Sequence, residues 1–141
     1  MRTGKESLSE QIRTLSILQQ EFIREHLKEI ELNVMQARAV NYISFYPGTI
    51  QKDLALYLGK QNATVTNILK LLEKQDYIRR EIPDDNERQK KLYLTEKGNE
   101  TAIFLQKMFQ DLDLLFIASI TDEERAIAED ILKKITSFIR Q

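Results

Sequence analysis

The sequence predicts a mainly α-helical fold with a small β-hairpin, and three observations predict it. Residues that break regular structure are scarce, with 4 Gly and 2 Pro among 141 residues, so long helices are permitted. Apolar residues recur at steps of three and four along most of the chain, the spacing of helices with one buried face. Only residues 77–82 and 90–94 alternate with period two, on either side of the turn cluster Pro83, Asp84, Asp85 and Asn86, which reads as two strands and their connection. Hydrophobic residues make up 42% of the chain, enough at this length for one core, and the expectation is a single domain over 1–141.

Taken in order, Leu8, Ile12, Leu15, Leu18, Phe22 and Ile23 form the apolar stripe of a first helix within 7–31. Asn33 is placed to cap a second, with Met35, Ala39, Tyr42, Ile43 and Tyr46 on one face and Pro47 and Gly48 as its stop. Thr49 is expected to open a third helix, whose Leu54, Ala55 and Leu58 face inward and which Gly59 ends. A fourth follows over about 62–75, then the hairpin. Thr95 caps a fifth helix with Ile103, Phe104, Met108, Leu112, Leu115 and Phe116 expected on the buried side. Thr121 through Glu124 is a capping box opening a sixth, with Ile127, Ile131, Ile135, Phe138 and Ile139 as its stripe.

The third and fourth helices have the makings of a helix-turn-helix. Such a pair needs a small residue at the close approach, a turn residue that tolerates positive φ, and apolar residues facing back from the second helix. Ala55, Gly59, Val65 and Ile68 fill those places. With Val65 inward, a step of roughly 100° per residue puts Ala63, Asn67, Lys70 and Lys74 on the opposite face, with Thr64 and Thr66 flanking. That face is polar and free of carboxylates through Lys70, which suits a DNA major groove. Asn67 can bond an adenine edge, Ala63 can touch a thymine methyl, and threonines and lysines can hold bases or phosphates.

The hairpin then reads as a wing. Arg88, Lys90 and Lys91 sit at or near its tip, where a basic loop can reach the backbone and the minor groove. Asp84, Asp85 and Glu87 dilute that charge: either they orient Arg88 through ion pairs, or the loop is simply a solvated turn. The DNA-binding set is Gln51, Asn62, Ala63, Thr64, Thr66, Asn67, Lys70, Arg88, Lys90 and Lys91. The net charge of −1 is uncharacteristic of nucleic-acid binding, but it is unevenly spread. Residues 60–91 hold 8 Lys/Arg against 6 Asp/Glu, and residues 95–141 hold 6 against 9. A locally basic face on an acidic body still attracts phosphate.

Several chemistries are excluded or disfavoured. With no cysteine there is no disulfide, thiolate metal site, cysteine nucleophile or thiol redox sensor. No Gly-rich phosphate loop, metal-spaced cluster or nucleophile elbow occurs, so no enzyme activity, cofactor or metal is expected. His26, the single histidine, reads as a solvated or helix-packed residue. Asp111 with Asp113, and Asp122 with Glu123 and Glu124, read as solvated faces and helix-start charges. Asn62, Ala63 and Thr64 match a glycosylation pattern by accident. No signal-type apolar block follows Met1, and no stretch approaches the roughly 18 apolar residues of a membrane span. The expected localisation is cytoplasmic, with no membrane partner.

Order of elements and residues together resemble the MarR family of bacterial transcriptional regulators along the whole chain. The matching stretches are 51–59, 63–66, 72–78 and, most specific, the run 86–98 from the wing through Arg88 and Thr95 to Gly98. The resemblance implies a winged helix-turn-helix lobe, about 33–95, and N- and C-terminal dimerisation helices, about 5–31 and 96–141. It implies a homodimer on a pseudo-palindromic operator in double-stranded DNA, acting as a repressor, with a small aromatic or lipophilic effector held in a cleft. No residue is assigned to that effector. Two positions depart from the pattern: Asn86 stands where the family usually has Asp, and Asn67 where an arginine often follows.

Dimerisation also follows from the residues. The first, fifth and sixth helices carry more apolar positions, Phe104, Phe109, Phe116 and Phe138 among them, than one small lobe needs to cover. Leu8, Ile12, Leu15, Phe116, Ile127, Ile131, Ile135 and Phe138 are the expected interface. The competing reading is a winged helix that binds another protein and no specific DNA, since folds do not determine function.

Overall fold

Along the chain the elements run α1 (Leu8–His26), α2 (Val34–Phe45), β1 (Thr49–Ile50), α3 (Gln51–Leu58), α4 (Asn62–Lys74), β2 (Ile78–Glu81), β3 (Lys91–Leu94), α5 (Glu96–Ile117) and α6 (Asp122–Ile139). The structure is a computed structural model, and it describes residues 7–82 and 89–141. Two compact units are distinguished, one reaching to Phe109 and the other Gln110–Gln141. The fold is mainly α-helical with a small wing, as the periodicities predict. Among the described residues no helix is long and apolar enough to cross a membrane.

Helix starts follow local chemistry. The Asn33 side chain accepts the Gln36 N–H at 2.8 Å while the Gln36 side chain accepts the Asn33 N–H at 3.0 Å. Thr121 and Glu124 make the same reciprocal pair at 3.1 and 3.0 Å. Each box satisfies two backbone donors that a helix start leaves open, and a cap of this kind contributes about 1 kcal/mol. Ser7 caps α1 by accepting from Glu10 N–H at 3.2 Å. Thr95 Oγ1 accepts from Gly98 N–H at 3.0 Å at the start of α5 and donates to the Asp76 carbonyl at 2.6 Å.

The core of the first unit is built from α2, α3, α4 and the sheet, with Val40, Ile43, Leu54, Val65, Leu69, Leu72, Ile78 and Leu92 fully buried. The sheet is antiparallel in the order β1-β3-β2. Thr49 pairs with Leu92 and Ile50 with Lys91 on one side of β3, while Ile78 pairs with Leu94 and Arg80 with Leu92 on the other.

Three expectations are corrected here. Thr49 does not open α3: it lies in β1, the Gly48 N–H donates to the Leu92 carbonyl at 2.8 Å, and the position before α3 is Ile50, with no side-chain cap. Pairing with β3 satisfies this backbone more fully than a lone hydroxyl cap would. The first helix stops at His26, with Leu27 as its cap and its amide bonded back to Ile23 and Arg24. On α5 the buried residues are Ala102, Leu105, Met108 and Leu112, whereas Ile103, Phe104 and Leu115 are exposed and Phe116 half-buried. The helix approaches the lobe at Gly98, against the Tyr77 carbonyl and Leu94, and from there the buried line runs through Ala102, Leu105 and Met108, leaving Ile103 and Phe104 outward.

The turn between α3 and α4 is as expected. Gly59 sits at φ 65° and ψ 33°, and the chain there bonds back to Ala55 and Leu56. A Cβ at this position would meet nothing within 4 Å, so substitution costs backbone strain alone. Gly59→Val is therefore expected to lower stability by about 2 kcal/mol, because a β-branched residue resists left-handed φ. Urea unfolding measures this directly, and an unshifted midpoint would contradict the turn geometry.

Candidate nucleic-acid interface

Beside the apolar packing of Leu54, Val65 and Ile68, α3 and α4 are tied by a polar staple. Gln51 Nε2, at the start of α3, donates to Thr66 Oγ1 at 2.7 Å and to Asn62 Oδ1 at 2.9 Å, and approaches the Asn62 carbonyl at 3.3 Å. Thr66 Oγ1 in turn donates to the Asn62 carbonyl at 2.9 Å. Of the residues proposed to touch DNA, Gln51 and Thr66 thus already have partners inside the lobe. Their amide and hydroxyl set the angle at which α4 is presented.

The two faces of α4 are sharply different. Val65, Ile68, Leu69 and Leu72 are buried, while Asn62, Ala63, Thr64, Asn67 and Lys70 are exposed and Thr66 is half-buried. Ala63, Asn67 and Lys70 step by four and three along one exposed face, with Thr64 and Thr66 at its sides, as the helical period predicts. No residue from Asn62 to Lys70 is acidic, leaving that half of the helix free of a charge that would repel phosphate.

In the wing, Lys90 is exposed just before β3 and Lys91 is half-buried in it, opposite Ile50 and Glu81. Arg88, with the turn cluster 83–87, lies outside the described residues. Arg79 sits over the Tyr93 ring at 4.7 Å and is paired with Glu81. Lys97 Nζ bonds the Gln75 carbonyl at 2.7 Å and lies 4.3 Å from the centre of the Tyr77 ring. Arg80 and Lys52 escaped the sequence reading. Arg80 lies on β2 with its Nε 3.2 Å from the Glu73 carboxylate, and Lys52 in the first turn of α3 is exposed. Adjacent Arg79 and Arg80 on an alternating strand were the available signal, since one of two neighbours must point to the helix-packed face.

The residues proposed for dimerisation lie mostly in the open. Leu8, Ile12, Leu15, Ile127, Ile131 and Phe138 are exposed, and Phe116 and Ile135 are half-buried. His26 is exposed, stacks on Phe22 at 4.0 Å, and bonds the Phe22 carbonyl through Nδ1 at 2.9 Å.

With this geometry in place, known proteins supply the relationship. The MarR family model matches residues 30–89. A relative from Bacillus subtilis (strain 168), described as the uncharacterized HTH-type transcriptional regulator YybA, is 25% identical over 113 residues, which is 79% of this chain and 75% of that one. The S. aureus MepR structure, solved as a DNA complex, superposes with a TM-score of 0.87 at 21% identity, covering 97% of this chain and 99% of that one. A MarR protein from Peptoclostridium difficile does so at 0.87 and 22% identity, covering 99% and 91%. Capped helices, left-handed turn and wing strands give the chain the fold of these solved structures, and its winged lobe, residues 30–89, is similar to the MarR family model.

Proposed function

We propose that the protein is a DNA-binding repressor that works as a homodimer, placing α4 of each protomer in successive major grooves of a pseudo-palindromic operator. The observation that carries this reading is the acid-free exposed face of α4 from Asn62 to Lys70, set on a helix whose other face is buried. Ala63, Thr64 and Asn67 supply groups that read base edges, while Lys70, Lys90 and Lys91 supply charge for the backbone. Two-fold symmetry spaces the two recognition helices by roughly 34 Å, one turn of DNA. Arg88 of the wing is assigned to the minor groove.

Regulation follows from that spacing. A small aromatic or lipophilic effector, the class the family resemblance implies, acts by preferring a dimer whose α4 helices are mis-spaced. It weakens operator binding by its differential affinity for that conformer and by no more. The cytoplasm is the site of action.

The experiment is selection from a pool of genomic fragments, read against salt with the mass of the complex recorded. A dimer that enriches short inverted repeats and loosens steeply with salt supports the repressor. A dimer that enriches nothing supports the protein-binding winged helix. Within that assay Arg88→Ala is expected to weaken operator binding with the dimer intact, and Lys91→Ala to lower the salt slope by about one phosphate contact. Unchanged affinity and slope in both variants would remove the wing from the interface.

A further inference from the structure

Between the wing and the starts of α3 and α4 lies a polar cleft of about 350 Å³, and its lining includes Gln51, Lys52, Asn62, Arg80 and Lys90. Three of these are cations, and no carboxylate lines the cleft among the described residues. The volume is comparable with that of about twelve waters, room for one phosphodiester with part of its hydration. From these residues we propose that the cleft is a seat for one backbone phosphate of the bound DNA, with Arg80 as its principal cation. The assignment rests on the DNA-binding reading above and adds to it a site between recognition helix and wing.

Arg80 carries the argument because of where β2 puts it. Paired residues on antiparallel strands share a face, so Arg80 lies on the side of Leu92 and Thr49, in line with Ile78 and Leu94. All four of those neighbours are buried. An arginine at such a position loses hydration, and its side chain is only 18% exposed. Glu73 at 3.2 Å compensates part of that charge, but the guanidinium presents five donors and the cleft opens beside it. The guanidinium fork fits a phosphate's paired oxygens. Lys52 and Lys90 approach from α3 and the start of β3, and both helices that begin here add the positive end of their dipoles.

A purely structural Arg80, existing to pair with Glu73, makes different predictions. Arg80→Gln, Lys52→Gln and Glu73→Gln are compared in full-length protein, using a random-sequence duplex long enough to span two major grooves, across a salt series. The seat predicts that Arg80→Gln binds roughly tenfold more weakly with its salt slope reduced by about one. It also predicts that Glu73→Gln, which frees Arg80 of a competitor, binds as well as the parent or better. Arg80→Gln with parental affinity and slope overturns the seat. Should that variant not fold, Lys52→Gln decides by the same criterion. If inorganic phosphate raises the unfolding temperature of the parent and not of Arg80→Gln while DNA binding is the same in both, the cleft takes a free anion and the proposal fails. If the parent binds no duplex at all, the repressor reading falls with it, a result distinct from parental binding that Arg80→Gln leaves untouched.

Discussion

Gly98→Ala is expected to destabilise the lobe by about 3 kcal/mol or more, the upper range for forcing atoms into a packed site. Gly98 is buried in the first turn of α5. A Cβ there would stand 2.1 Å from the Tyr77 carbonyl oxygen, 3.1 Å from its carbon and 3.2 Å from Leu94 Cβ. Carbon–oxygen contacts in proteins begin near about 3.3 Å, so backbone has to move. The backbone concerned is already committed: the Tyr77 carbonyl accepts the Thr95 N–H at 3.1 Å, and Thr95 caps α5. Relieving the clash therefore also opens the junction between strand and helix. Because a domain's whole stability is about 5–15 kcal/mol, the variant should unfold at much lower urea, or accumulate poorly. An unfolding midpoint equal to the parent's would mean α5 does not pass this close to Tyr77.

Ile131→Glu should convert the proposed dimer to monomer. None of the 18 residues of α6 is buried, although the helix carries a continuous apolar stripe, with Ile127 60% and Phe138 73% exposed. The first half of α1 repeats the pattern at Leu8, Ile12, Leu15 and Leu18. Covering such stripes gains about 1.5–3 kcal/mol per large side chain. A carboxylate placed there loses that gain and adds a desolvation cost of several kcal/mol, twice over in a two-fold interface. A loss of about 4 kcal/mol is a thousandfold in dissociation constant. Operator affinity should fall as well, since two linked half-sites bind about 10²–10⁴-fold better than either alone. Sedimentation with parallel DNA titration reads both. A variant that remains dimeric at micromolar concentration would exclude α6 from the interface.

Much of the site was legible in the residues because its rules are local. The cap at Asn33 and the capping box of Thr121 with Glu124 involve groups three positions apart. The left-handed Gly59 is a single-residue requirement. The division of α4 into buried and exposed faces needs only the helical period, and Ala63, Thr64, Asn67 and Lys70 stand where that period puts them.

What escaped the sequence involves partners far along the chain. The two-residue strand β1 has no period of its own to show, and it exists because β3, some forty residues on, offers unpaired backbone. The rotation of α5 is undetermined by a sequence in which Phe104 and Leu105 are equally apolar, and packing selected the side with Ala102. The bonds of the Gln51 amide to Asn62 and Thr66 join residues 11 and 15 positions apart, beyond the reach of any local rule. Arg80 was passed over as one of two adjacent basic residues, and only the register of β2 on β3 turns it toward the cleft. The sequence by itself determined the six helices, the two wing strands and the chemistry of the exposed face of α4, because caps, turns and periodicity act within a few residues. The tertiary structure alone decided which polar groups staple the lobe, which apolar faces stay uncovered and where the half-buried Arg80 emerges, because those depend on which surfaces meet.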